Sequence, residues 1–182
     1  NGTTIVINLQ LSDIEFIVLE ETLLIDSVST FLVMDGGSFL DMEGNAAIAV
    51  PNGASKAARN YQADVTPPTL VNFEIDMDAG RMKLELSEFI KISLVDITLI
   101  SIQNATMGTA SYHRLTSGST LSQTVNNTKV IEVILSDGDL NSLKDNELLA
   151  LGKNSSYVRF DGGAVTDMSG NMNAEVNEVN AQ

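Results

Sequence analysis

The sequence has no cysteine and no tryptophan, only three prolines, a single histidine, and ten basic residues against 24 acidic ones. Each shortage excludes something. Without cysteine there is neither a disulfide scaffold nor a thiolate metal site. The few Lys and Arg residues are scattered, so nucleic acid is not an expected partner, because phosphate neutralisation needs clustered cations. The net charge of −14 is spread along the chain: two basic against eight acidic residues over 1–63 give −6, and eight against sixteen over 64–182 give −8. A solvated acidic surface is the expected consequence. The longest apolar runs are short and broken by charges, so no membrane insertion is expected. Asn1 stands where an initiator Met would, as expected of a processed chain or of a segment of a longer one.

Catalytic groups are scarce as well. The lone histidine, His113, lies in SYHRL on an expected strand, without a G-x-S-x-G elbow or a second histidine. Carboxylate pairs such as Asp76 and Asp78 arise by chance on an acidic exterior, and three Tyr with no Trp leave little aromatic platform for a sugar. No enzyme is expected.

What is present is repetition. DGGSFLDMEGN at 35–45 returns as DGGAVTDMSGN at 161–171, with seven of eleven positions identical, and TIVINLQLSD at 4–13 returns as TKVIEVILSD at 128–137. The first pair is 126 residues apart and the second 124, which calls for a two-residue insertion, placed around Gly152 to Asn154. Residues 1–50 then match 125–176, whereas 64–127 have no counterpart upstream. Three segments are expected: the second half of a repeat at 1–50, a polar linker at 51–63, and a complete repeat at 64–182.

Within the complete copy the apolar period is two. Val71, Phe73, Ile75 and Met77 alternate with polar residues, and after Asp78-Ala79-Gly80 the alternation resumes at Met82, Leu84 and Leu86, which predicts a hairpin with one buried face. Further strands are expected at 97–103, 111–116, 121–125, 129–135, 157–160 and 173–179. A short helical turn is expected after an N-cap Ser136 with Asp139 three residues on, and after Ser12 in the first copy. The expected core comprises Phe73, Ile75, Leu84, Leu86, Ile131, Val133 and Phe160. The fold class is therefore all-β, a β-sandwich.

The opening Asp64-Val65-Thr66-Pro67-Pro68, the strand ending Leu86-Ser87-Glu88, the element Ser136-Asp137 followed by Leu140, and the closing GAVTDMSGN resemble the immunoglobulin-like repeats of bacterial S-layer and large adhesin proteins. Related tandem repeats occur in giant surface proteins of microbial eukaryotes. The resemblance implies tandem immunoglobulin-like β-sandwich repeats, an extracellular or cell-surface location, and no reaction. Phe89 stands where such repeats often carry Pro.

Four groups of candidate residues follow. In the D-M-x-G-N turns, Asp41 and Asp167 accept backbone N–H bonds while Gly44 and Gly170 supply positive φ. No cofactor is expected; calcium is the alternative, if Asp64, Asp161 and Asp167 converge to give the several oxygens the ion requires. The sequons at Asn1, Asn104, Asn126 and Asn154 are candidate N-glycan sites. Finally, Ile14, Ile17, Val18, Leu23 and Val33 align at the two spacings with Gly138, Asn141, Ser142, Glu147 and Arg159, and are the candidate self-assembly interface. A half repeat leaves an apolar face and a strand edge uncovered. The expected function is an extracellular structural protein whose identical chains associate into a fibre or surface layer, the alternative being an adhesin-type spacer that presents a carbohydrate or cation site.

Overall fold

The computed structural model describes residues 4–105, 111–122 and 127–180, and the chain divides into two units, Asn1–Asp64 and Val65–Gln182. Asn1, Asn126 and the end of the expected strand 121–125 lie outside the described residues.

The first unit holds α1 (Leu11–Leu19) and a two-stranded antiparallel sheet of β1 (Phe31–Leu32) and β2 (Lys56–Ala57). Two expectations are corrected here. Residues 4–10, expected as a strand from their match to the strand at 129–135, lead instead directly into the helix, and the segment read as a polar linker contributes β2, with Phe31 opposite Ala57 and Leu32 opposite Lys56. The helix begins two residues early, with Gln10 rather than Ser12 at its N-cap. No described residue between 4 and 64 is buried.

The second unit is built from β3 (Leu70–Asp76), β4 (Arg81–Ile90), β5 (Ile100–Gln103), β6 (Tyr112–Arg114), β7 (Thr120–Leu121), β8 (Thr128–Ile134), α2 (Asp137–Asp145), β9 (Tyr157–Phe160) and β10 (Val176–Asn180). The strands form two four-stranded antiparallel sheets, ordered β3-β4-β8-β7 and β10-β9-β5-β6. The protein is thus β-rich, with two helices among the described residues. Phe73, Met82, Leu84, Leu86, Ile131 and Val133 from the first sheet and Ile100, Ile102, Val158 and Phe160 from the second are all buried in one core. Of the expected core only Ile75 is merely half-buried.

Local chemistry explains most of these elements. The β3–β4 turn forms because the Asp76 carboxylate accepts from the N–H groups of Asp78 at 2.9 Å and Ala79 at 2.8 Å, and Gly80 supplies φ 63°. Val71, expected inward, is exposed: the β3–β4 register slips between Leu70 and Asn72, so the bulge turns Leu70 inward instead. Strand 97–103 is shortened because Asp96 caps a 3₁₀ turn over Ile97–Leu99 by accepting from Thr98 N at 2.9 Å.

Matching geometry recurs at one spacing. The N-caps Gln10 and Ser136, the helix ends Leu19 and Asp145, the left-handed Leu24 and Ala150 (both φ 52°), and the hydrogen bonds Leu23 N to Glu20 O and Leu149 N to Asn146 O are each 126 residues apart. The two-residue shift in the sequence match therefore lies upstream of the helices, not around Gly152 to Asn154.

Candidate functional site

Asp139, third residue of α2, has a fully buried side chain that gathers several hydrogen bonds. Its carboxylate accepts from Ser119 Oγ at 2.6 Å, from Thr116 Oγ1 at 2.9 Å and N at 3.1 Å, and from Ser136 Oγ at 3.0 Å, and lies 2.8 Å from His113 Nε2. Ser136 Oγ in turn accepts from Asp139 N at 3.1 Å, which closes the helix N-terminus. Burial pushes the Asp139 carboxyl up, but the hydrogen bonds from Ser119, His113 and Thr116 outweigh it and bring the pKa down to about 2. The expected Ser136 cap is present; the contact of His113 with Asp139, 26 residues away, had no local signal in the sequence. The hydroxyls of Ser119 and Ser136 donate to the carboxylate, not to the imidazole, so the group pins β6 and the following loop to α2 and does not form a nucleophile–base relay.

The two D-M-x-G-N turns are built alike. Asp41 Oδ1 accepts from Asn45 N at 2.7 Å and Oδ2 from Asn45 Nδ2 at 2.8 Å; Asp167 accepts from Asn171 N at 2.7 Å and Nδ2 at 2.8 Å. Gly44 and Gly170 have φ of 87° and 93°. The hydrogen bonds from the Asn45 side chain and backbone hold the Asp41 carboxyl below the usual carboxylate range. The Asn closes each turn as much as the Asp does, a role the sequence reading missed although both residues stand in the repeated string.

Of the carboxylates considered for calcium, Asp161 is the one placed differently from expectation. Asp161 faces Arg114 at 2.9 Å and Arg159 at 3.2 Å, so it serves ion pairs. Asp167 lies near Glu88, with carboxylate oxygens within 4.8 Å, in an acidic group of the kind that could hold a metal ion and is also common without one. Asp64 is the last residue of the first unit. Of the described sequons, Asn154 is exposed in the turn Lys153–Ser155, and Asn104 is half-buried with Oδ1 accepting from Ser111 N at 3.0 Å.

The remaining candidate is the apolar face of the first unit. At the spacing of 126, Ile14, Ile17 and Leu23 fall opposite Leu140, Leu143 and Leu149, not opposite Gly138, Asn141 and Glu147, and Val18 falls opposite Lys144. Only Val18 and Val33 are thus more apolar than their counterparts. The contrast lies in burial: Leu23 is 48% exposed where Leu149 is 1%, and Leu32 is 61% exposed where Val158 is 0%. Ile7 (68%) and Leu9 (49%) land on core residues at either spacing, on Ile131 and Val133 or on Val133 and Leu135. Apolar positions that the second unit buries are thus exposed in the first.

No protein-family model matches the chain, and no curated protein or solved structure matches it either. Among the described residues, no helix is long and apolar enough to cross a membrane.

Proposed function

We propose that this chain is an extracellular structural protein made of tandem immunoglobulin-like β-sandwich repeats, joined to its neighbours through the N-terminal half repeat into a fibre or surface layer. One observation carries the reading: residues of the first unit that are exposed and apolar match residues buried in the core of the second unit. At ~25 cal/mol per Å² of apolar surface, leaving such a face in water forgoes several kcal/mol, and a cover recovers them. A head-to-tail contact of this kind does not close on itself, so it propagates. The reading assigns no reaction and no cofactor, and Asn154 is the sequon best placed to carry a glycan.

Negative-stain microscopy of the native material tests it, with regular polymers expected and isolated rods favouring the spacer alternative. Replacing two residues of the apolar face, Ile17→Asp with Leu23→Asp, is expected to abolish polymers while residues 65–182 keep their melting temperature. Polymers that persist unchanged in the double variant would remove the half repeat from the assembly.

A further inference from the structure

In the second unit, the half that begins at residue 128 is covered by the half that precedes it. β8 pairs with β4 along Arg81–Glu85, β9 pairs with β5, and Lys91 N donates to Thr166 O at 2.9 Å beside the Asp167 turn, which itself bridges to Ile90. Asp139 is held by His113, Thr116 and Ser119, three residues of the preceding half. Two segments of the sequence carry the pattern that such a cover closes, 4–50 and 128–180.

Three features of the first unit ask for the same partner. Ile7, Leu9 and Leu32 repeat the inward apolar positions that β4 and β5 cover in the second unit. The turn at Asp41 repeats the turn that lies against Ile90, and Leu40 beside it is exposed where Thr166 is buried. Asp13 stands third in α1 as Asp139 stands third in α2; it is exposed and accepts from Gln10 N at 3.2 Å, where Asp139 draws in hydroxyl donors from another segment. An apolar sheet alone would suit a cluster of Leu and Ile, whereas a carboxylate at that helix turn asks for N–H and O–H donors.

We infer that the occupant of the first unit is a polypeptide segment of the same kind as residues 65–127, supplied by a neighbouring polypeptide: a hairpin like Leu70–Ile90, then a strand like Ile100–Gln103, then a Ser/Thr-bearing loop that donates to Asp13. This rests on the structural reading above and names its partner. The recognition mode is strand addition completed by a buried carboxylate network.

The test uses the full chain and, as probe, a separate labelled polypeptide of residues 65–127. Saturable one-to-one binding is expected, with slowed amide exchange over residues 4–40 and loss of apolar-dye fluorescence. Asp13→Ala is expected to weaken binding about tenfold or more, the loss that follows removal of a charge-assisted acceptor, and Ile7→Asp with Leu9→Asp to abolish it. Because the free probe can aggregate, a second chain carries residues 65–127 repeated ahead of Thr4, and there dye binding is expected to vanish and a second cooperative melting transition to appear. Dye binding and fast exchange that persist in both arms would overturn the inference. Closure in the extended chain alone would overturn supply by a neighbour, and cross-links joining the first units of two copies face to face would overturn the choice of partner. Probe binding by native material that shows only isolated rods would sink the structural reading and leave this inference standing; polymers whose assembly excess probe fails to block would do the reverse.

Discussion

Asp139 links the second unit's two halves, because its carboxylate on α2 gathers His113, Thr116 and Ser119. Its folded pKa is depressed to about 2, below the ordinary value near 4 of an unfolded Asp, so its contribution is fully present above about pH 4 and is lost as pH falls towards 2. The shift corresponds to about 2 kcal/mol. Urea unfolding of the chain followed from pH 5 to pH 2 is expected to show that loss, and Asp139→Asn to lower stability at pH 7 by about 1–3 kcal/mol, the usual result of leaving buried donors badly partnered, while flattening the acid limb. An acid limb unchanged in the variant would assign the loss to other carboxylates. Little of this was legible beforehand. The Ser136–Asp139 cap lies within three residues and can be read from the string, but His113, Thr116 and Ser119 reach Asp139 from 20 to 26 residues away, through a chain reversal that no local pattern encodes.

Among the elements, those with a sustained period of two were legible and those shaped by one hydrogen bond or one slipped register were not. Phe73, Leu84, Leu86, Ile131, Val133 and Phe160 were expected inside and are buried, because sheets buried on one face impose strict alternation. Val71 broke phase at a bulge, and Ile97–Leu99 left the strand for a 3₁₀ turn capped by Asp96. The helices show the same limit. Their sequences align with Ser12 opposite Ser136, yet α1 starts from Gln10, a residue outside the favoured capping set, and α2 from Ser136. Because Ser136 Oγ both caps α2 and donates to Asp139, Ser136→Ala is expected to cost about 1–2 kcal/mol, more than an exposed cap. Gln10→Ala, at a position with less to lose, is expected to change stability by less than ~0.5 kcal/mol. Equal losses in thermal melts of the two variants would show that the network adds nothing to the cap.

At the scale of the molecule, the two units differ in what can hold them closed. The second has a core drawing on both sheets, including Phe73, Phe160, Met82, Leu84, Ile90 and Ile131. Across 4–64 no described residue is buried, and the hydrogen bonds of α1 and the β1–β2 pair are exposed to water. Local opening draws its free energy from buried contacts, so opening of the first unit is expected to cost little and that of the second to approach the global value. Limited proteolysis at neutral pH is therefore expected to remove residues 4–64 first, with early cuts in exposed stretches such as Leu23–Ser29, and to leave a resistant fragment beginning near Val65. Amide exchange should divide at the same place, fast in α1 and slow in β4, β5, β8 and β9. The test bears directly on cover: a segment that completes the first unit must convert its exposed Ile7, Leu9 and Leu32 into core, so resistance should spread to 4–64 when that segment binds and nowhere else. If 4–64 resists cleavage as well as the sandwich does with nothing bound, the apolar residues of the first unit are already covered, and no partner is needed to explain them.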